Sequence, residues 1–385
     1  MTGVKKAKKV KSHGLAACGC VILILMLMVQ GEAAMQGVKD GMRLCVHTMI
    51  PALFPLMVVS EWMVRGNVGR QLANVLPVRW ICGLPGFSSA GRCAFLMGIL
   101  CGFPIGSRVA AGYYRRGQLS DEEFSRLVCV CNLPSTAFLI GGVGTGLFGS
   151  ASFGRWLCLL SLLAALFVGV LFRVFFARKE GKGKRYETCG LVTEQGEQYS
   201  LPMALAAAAE NMLNVCATVM LFCSLTRVLD AFMISVGVAM SAGGRAVLLG
   251  VLELSGGVSA TAAALPASQA AILCAALIGW GGLSVHCQIM SVCHGCPMPL
   301  ARFWLSRFLQ SLFCALGVAA LLAWGNIEFS SPEVGETIAR FGDFPSGFLP
   351  CVAWALGVGG MIVSLICLVW LKTKKGRRYG KQGRS

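Results

Sequence analysis

Hydrophobic residues in this chain form long unbroken runs, whereas the apolar residues of a soluble domain fall in periodic stripes. Residues 246–301 contain one charged side chain, Glu253, and residues 127–154 contain none. Each run is longer than the roughly 20 residues that cross a bilayer as a helix. The pattern therefore predicts a membrane protein that crosses the bilayer several times.

Hydrophobic segments recur along the whole chain. The first, 15–29, follows a lysine-rich start; we interpret it as an uncleaved membrane anchor, with a cleaved signal peptide as the alternative. The predicted fold is an all-α polytopic membrane protein with about 8–10 hydrophobic segments. The further candidate segments are 44–64, 93–113, 127–147, 156–176, 203–229, 246–265, 270–292, 303–324 and 349–371.

The two halves of the chain have the same order of parts. Each begins with a long helix (44–64 and 203–229), continues through Gly-interrupted segments, and closes with an uninterrupted helix (156–176 and 303–324). If the N-terminus and the basic connector 178–187 both lie on the inner side, the helix 44–64 runs inward and the helix 203–229 runs outward. The corresponding helices of the two halves then run in opposite directions. This predicts an inverted-topology repeat with re-entrant or broken helices, which is typical of transporters that bind their substrate at the breaks.

Composition narrows the class of protein. Hydrophobic residues make up 56% of the chain and charged residues 13%, against about a quarter charged in soluble domains. This excludes a soluble enzyme, a nucleic-acid-binding domain and a secreted disulfide scaffold. Many of the 19 cysteines lie in apolar runs, where a thiol behaves as a small hydrophobe.

The net charge of +17 is concentrated in short clusters beside apolar spans. Residues 5–11 carry five bases and 372–384 carry seven, with no acid in either cluster, and 178–187 carries five bases and two acids. The positive-inside rule then places both termini and the connector in the cytoplasm. The acidic stretch 326–345 is predicted to be an outer loop, and nucleic-acid binding is not expected.

These observations divide the chain into six parts. They are a basic N-terminus with the first transmembrane helix (1–34), a first repeat (35–177), a basic cytoplasmic linker (178–200), a second repeat (201–326), an outer acidic loop (327–348), and a last transmembrane helix with a basic tail (349–385).

The sharpest local feature is the sequence 102–108. Gly and Pro at its centre predict a helix break in the membrane, where freed amides and a helix N-terminus make an anion site. The alternative is a kinked packing helix whose arginine reaches an interface. The candidate substrate-binding residues here are Gly102, Pro104, Gly106, Ser107 and Arg108.

A second break is predicted at 132–136, in a run without charge. Asn132 and Ser135 are candidate site residues, because unpaired polar groups are costly in hydrocarbon and must face the interior of the protein. The alternative role is hydrogen bonding between helices.

Glu253 places a carboxyl group in the middle of an apolar segment. Such a group is by default a proton, cation or substrate site, so Glu253, Ser255 and Gly256 are candidate site residues. The alternative is an ion pair with Arg108.

The segment 281–288 holds in the second half the position that 132–136 holds in the first. Ser284, His286 and Gln288 alternate along it, after two glycines. They could line a cavity, and the alternative for His286 is a satisfied interior donor. The spacing of Cys287, Cys293, His294 and Cys296 fits no closed four-ligand metal site. No metal, cofactor or catalytic residue is expected, and the chain is not expected to be an enzyme.

Five motifs resemble one known family. The sequences 42–56, 102–108, 132–141, 282–289 and 302–307 resemble the YlbJ family of sporulation integral membrane proteins, also called stage V sporulation protein V. The resemblance covers about 35–371, in the right order. Its two nucleoside recognition (Gate) domains are similar to parts of the concentrative nucleoside transporters.

The resemblance implies a multi-pass protein of the outer forespore membrane that helps to move dipicolinic acid, with re-entrant hairpins at the breaks and substrate between their tips. Arg108, Asn132 and Ser135 would then meet the anionic substrate within the bilayer. The sequence departs from the family where Leu-Pro-Ser replaces part of an Asn-Ser-Ser-Asn stretch, and in its high cysteine content. A nucleoside or other small-metabolite carrier and a non-transporting sporulation scaffold stay open as alternatives. So do homo-oligomers and other sporulation membrane proteins as partners.

Overall fold

The structure, a computed structural model, describes residues 21–65, 71, 73–75, 78–176, 201–238 and 240–325. This part of the chain is helical and contains no strand. The predictions for the basic N-terminus, the linker 178–200, the acidic loop 327–348 and the last helix 349–371 lie outside the described residues.

Fourteen α-helices and two π-helical segments make up the described part of the chain. In chain order they are α1 (Val21–Val29), α2 (Gly31–Leu44), a π-helical turn (Cys45–Met49), α3 (Ile50–Arg65), α4 (Val78–Ile81), α5 (Ser89–Cys101), α6 (Ile105–Arg115), α7 (Asp121–Leu127), a π-helix (Ala137–Leu147), α8 (Ala151–Phe176), α9 (Leu201–Ser235), α10 (Ala242–Leu252), α11 (Leu254–Ala264), α12 (Ala267–Trp280), α13 (Gly282–Val292) and α14 (Leu300–Ala323).

By length and composition, four spans in the described part can cross a membrane: α8, α9, α12 with α13, and α14. A fifth is possible if α1 and α2, which meet at 93°, count as one bent span. The segments predicted at 93–113 and 246–265 do not cross as single helices, because each is interrupted at its centre. The polytopic all-α class is therefore confirmed.

In the first half, α2 and the π-helical turn that leads from it into α3 pack against α9, the opening helix of the second half, in the opposite direction. A Cβ atom added to Gly37 on α2 would lie 2.5 Å from Ser224 Cα on α9. Further along, Cys45 Sγ lies 3.8 Å from the carbonyl oxygen of Cys216. Residue numbers rise on one helix as they fall on the other, so the pair is antiparallel, as an inverted repeat requires.

The closing helices, α8 and α14, show the same relation. Leu160 packs against Gly317, and the ring of Phe167 stacks on Phe313 with centroids 5.6 Å apart. This pair is antiparallel too. The predicted inversion of the second half relative to the first is therefore present in the packing.

Each half contains a helical hairpin where the sequence predicts a break. In the first, Tyr113 near the end of α6 lies 3.4 Å from Cys93 near the start of α5. In the second, Leu265, just after α11, contacts Gly243 at the start of α10. The two helices of each break therefore lie side by side and antiparallel, which is the re-entrant geometry that the resemblance implied.

Each hairpin tip rests on the interruption of the next element in its own half. The Phe103 amide donates a 2.8 Å hydrogen bond to the Leu133 carbonyl, in the segment between α7 and the π-helix. In the second half, a Cβ added to Gly282 would lie 2.9 Å from the Leu254 amide. The order of opening helix, hairpin, interrupted helix and closing helix thus occurs twice.

Replacing Gly106 tests this close packing. A Cβ at this position would overlap the Cys131 carbonyl oxygen and lie 2.9 Å from Gly98 Cα, so the backbone must move. We expect Gly106→Ala to lower the free energy of unfolding by about 1–3 kcal/mol. The measurement is thermal unfolding of the detergent-solubilised protein.

Gly112 is the matched control, because it lies on the same helix and an added Cβ meets nothing within 4 Å. Alanine favours a helix over glycine, so Gly112→Ala should leave the melting temperature unchanged or raise it. Equal losses in the two variants would contradict the hairpin packing.

Candidate functional site

A central cavity lies between the two hairpin tips and leaves about 100 Å³ open to water-sized molecules. That is enough for several waters or a small organic solute. Both halves of the chain contribute to its wall. The lining residues are Leu44, Met49, Leu53, Phe103, Ser135, Ala137, Phe138, Gly142, Val219, Glu253, Leu254, Ser255, Ser284, Val285 and Gln288.

The polar residues of this wall are ones that the sequence predicts as site residues. They come from the break at 132–136, the second hairpin tip and α13: Ser135, Glu253, Ser255, Ser284 and Gln288. The rest of the wall is apolar, and the aromatic rings of Phe103 and Phe138 belong to it. An apolar cavity with a few convergent polar groups is the usual form of a small-molecule site.

Glu253 forms the tip of the second hairpin. Its backbone is extended (φ −134°, ψ 120°), which separates α10 from α11. Its carboxylate accepts hydrogen bonds from the amides of Ser255 (3.0 Å) and Gly256 (2.6 Å). The N-terminus of α11 thus stabilises the negative charge, and the carboxylate caps the helix while it faces the cavity.

Arg108 lies outside the cavity wall. Its Nε is 2.5 Å from Glu61 Oε1 on α3, so the alternative pairing with Glu253 is not the one that forms. The cause is geometric: α6 leads away from the hairpin tip, and Arg108 faces α3 instead. Among the described residues, the wall of the cavity includes no Lys or Arg.

The remaining residues of the first predicted break shape the hairpin. Gly102 has a φ of +80°, and a Cβ there would lie 2.7 Å from the Ser135 amide. Only glycine allows the tip to approach the break this closely. Pro104 precedes the first residue of α6, Gly106 contacts Cys131, and the buried Ser107 Oγ lies 3.7 Å from Cys131 Sγ.

Asn132 and His286 are buried and do not line the central cavity. The amide nitrogen of Asn132 donates to the Val128 carbonyl at 2.8 Å. His286 Nε2 lies 2.9 Å from the Trp280 carbonyl and must donate to it, and its ring sits between Trp280 and Phe303. The His286 contact matches the alternative of an interior donor, whereas the Asn132 bond stays within its own segment and does not join two helices. Asn132 Oδ1 and His286 Nδ1 are buried without a hydrogen-bond partner among the described residues.

The sequence reasoning missed a polar cluster on α14. Arg307 donates to the carbonyls of Asn132 (2.8 Å) and Cys129 (3.2 Å), and its side chain is buried. Gln310 and Ser306 also donate to the Cys129 carbonyl, at 3.1 and 2.8 Å. These donors replace the helical hydrogen bonds that the carbonyls lose at the 132–136 break.

A signal for this cluster is present in the sequence. Ser306, Arg307 and Gln310 are polar residues at helical spacing on one side of a mostly apolar span. Polar side chains in a membrane span face the protein interior, so the pattern indicates a buried contact but not its partner.

The fold and the site together define a class: an all-helical, multi-pass membrane protein with inverted halves and a cavity between two hairpin tips. No family model matches the chain, and no solved structure matches it. The chain is 24% identical over 342 residues to the sporulation integral membrane protein YlbJ of Bacillus subtilis (strain 168), across 80% of this chain and 82% of the relative. The resemblance to YlbJ is therefore confirmed, and it supports a membrane role in sporulation.

Replacing Arg307 should destabilise the fold more than replacing a partly exposed arginine of the same helix. Arg307→Gln takes from the buried Asn132 carbonyl the donor that Arg307 supplies, at about 1–3 kcal/mol for the unpaired group, while the Cys129 carbonyl keeps its bonds from Ser306 and Gln310. Arg302, paired with Glu122 at 2.8 Å near the surface, is the control. Arg302→Gln should cost no more than about 1 kcal/mol. Thermal unfolding of both variants measures the difference, and equal losses would contradict the role of Arg307.

Proposed function

We propose that this protein is a carrier that moves a small solute across a membrane, without covalent chemistry. The observation that carries the proposal is the central cavity, which lies between two hairpin tips and is lined by both halves of an inverted repeat. Interrupted backbone at membrane depth is tolerated only where protein or a polar cavity surrounds it. Inverted halves with paired interruptions are the architecture of carriers that expose one site alternately to each side.

For the solute we propose dipicolinic acid, carried across the outer forespore membrane with both termini of the protein in the cytoplasm of the mother cell. The support is the similarity to a sporulation membrane protein and the shape of the cavity. Phe103 and Phe138 offer flat apolar surfaces to an aromatic ring. The hydroxyl groups of Ser135 and Ser284 and the amide of Gln288 can donate hydrogen bonds to carboxylates.

The charge of the cavity wall sets a condition on the transport of a dianion. Glu253 is the charged residue of the described cavity wall, and it repels a dianion. In this proposal the dicarboxylate therefore enters together with a proton, which Glu253 can hold, since an intramembrane carboxyl group is a common proton carrier. Arg108 takes no part in binding, because it is engaged with Glu61 outside the wall.

The second candidate is a carrier for a nucleoside or another uncharged metabolite. It is favoured by the same feature, an acid without a base in the described wall. A hydroxyl or amino group of such a solute could donate to Glu253 without any charge to offset. A sporulation scaffold without transport is the third candidate.

Filling the cavity separates a carrier from a scaffold. Gly142 lines the cavity, and a Cβ there meets only Phe138 at an ordinary 3.6 Å, so Gly142→Leu should block the cavity without a backbone clash. Gly141 on the same π-helix has no atom within 4 Å of an added Cβ and does not line the cavity, so Gly141→Leu is the matched control. Each variant is placed in a sporulating strain that lacks its own copy of this protein.

We expect spores of the Gly142→Leu strain to contain at least about tenfold less dipicolinic acid, as in the deletion strain, because a filled cavity cannot hold the solute. External dipicolinic acid should restore the content, and the Gly141→Leu strain should resemble wild type. Normal dipicolinic acid in the deletion strain would overturn this substrate and make nucleoside uptake the next measurement. A sporulation defect that the deletion causes but Gly142→Leu does not would favour the scaffold.

A further inference from the structure

We propose that a second, smaller cavity beside Arg307 binds a single monatomic anion of the halide class. The cavity lies between α12, α14, α8 and the segment that follows Asn132, and it leaves about 10 Å³ open to water-sized molecules. Its lining residues are Leu133, Pro134, Ser161, Ile278, Gly279, Arg307, Gln310 and Cys314. Leu133 and Pro134 separate it from Ser135 in the wall of the central cavity.

The first step of the argument is the charge of Arg307. This residue lies within the membrane span α14 and is 2% exposed. Among the described residues, the ion pairs involve Arg108, Arg227, Arg245 and Arg302, and none involves Arg307. Charged side chains inside a membrane are expensive and pair with one another or with backbone carbonyls. The partners of Arg307 are carbonyl groups, an amide oxygen and the ring of Phe303, so its full positive charge has no counter-charge among the described residues.

The second step is the hydrogen-bond inventory of the guanidinium. Its terminal nitrogens donate to the carbonyls of Cys129 and Asn132 and to Gln310 Oε1. These acceptors carry partial charges only. The Nε group is buried and has no partner within the described residues, so one donor of a full positive charge is left for a ligand.

The third step is the chemistry of the small cavity. The Ser161 hydroxyl is a second buried donor in its wall, beside the thiol of Cys314. Leucine, proline, isoleucine and glycine complete most of the lining and offer nothing to a cation. The volume suits one particle about the size of a water molecule. Among anions, the monatomic halides come nearest to this size, although chloride and bromide are somewhat larger than water, whereas a carboxylate or a phosphate group is larger still.

An anion at this place would neutralise the arginine that holds the carbonyls of Cys129 and Asn132. It would thereby stabilise the interruption that places Ser135 in the central cavity. The proposal does not depend on which solute the central cavity carries, so the two can fail separately.

The test uses the purified full-length protein in detergent. Thermal unfolding is measured in sodium chloride and in sodium bromide, with sodium gluconate replacing the halide at constant ionic strength. We expect the melting temperature to rise with halide concentration and to saturate, because a ligand that binds the folded state stabilises it by mass action. Anomalous scattering from bromide in a crystal should then locate the ion beside Arg307.

Two variants make the test specific. Ser161→Ala removes one donor and leaves the carbonyl contacts of Arg307 intact, so it should raise the half-saturating halide concentration by about tenfold. Ser311→Ala is the control, because Ser311 Oγ donates to the Ala276 carbonyl and does not line the cavity. Arg307→Gln should abolish the halide dependence if the variant folds.

Melting temperatures that are equal in chloride and gluconate would overturn the proposal and leave the cavity to a water molecule. Equal halide dependence in Ser161→Ala and Ser311→Ala would overturn it as well, since the stabilising ion would then bind elsewhere.

Discussion

A helix that is interrupted inside a bilayer frees backbone groups that have no water to bind, and the protein must supply their partners. The first half of this chain meets the requirement with side chains from the second: Arg307, Ser306 and Gln310 donate to the carbonyls of Cys129 and Asn132. The carbonyls at the 132–136 break therefore have these partners only when α14 is docked. The cavity wall at Ser135 depends on that docking, which links the site to the assembly of both halves.

The second half meets the same requirement locally. Glu253 ends one helix and caps the next through the amides of Ser255 and Gly256. Opposite charges thus supply the missing partners at two places. The buried cation of Arg307 binds carbonyl groups at the 132–136 break, and the carboxylate of Glu253 binds amides at the second hairpin tip. The halves share an order of elements and an inverted packing, but the first hairpin tip contributes Phe103 to the cavity wall and the second contributes Glu253. The charge in the described wall therefore comes from the second half.

Much of the fold can be predicted from the sequence, because length and hydrophobicity alone decide which segments enter a membrane. The repeated order of parts and the breaks at Gly102 and Glu253 follow from glycine, proline and one isolated acid. The polar residues of the cavity wall were also predictable, since a polar side chain in an apolar run must face the interior. The partners of Arg108 and His286 were not predictable, because periodicity gives the face of a helix and not the helix that meets it. The role of Arg307 was missed for the same reason: its partners are carbonyl groups far away in sequence, which no pattern of side chains reveals.

The glycine contacts within the hairpins have a mechanical consequence. Gly250 and Gly257 touch backbone to backbone, as Gly98 and Gly106 nearly do, so little side-chain material lies between the two legs near each tip. Side chains can yield by changing rotamers, whereas backbones in contact cannot slide without a clash. Each hairpin is therefore closely packed near the tip that reaches the cavity, so we expect a displacement of its other end, where Tyr113 meets Cys93, to move Phe103 with it.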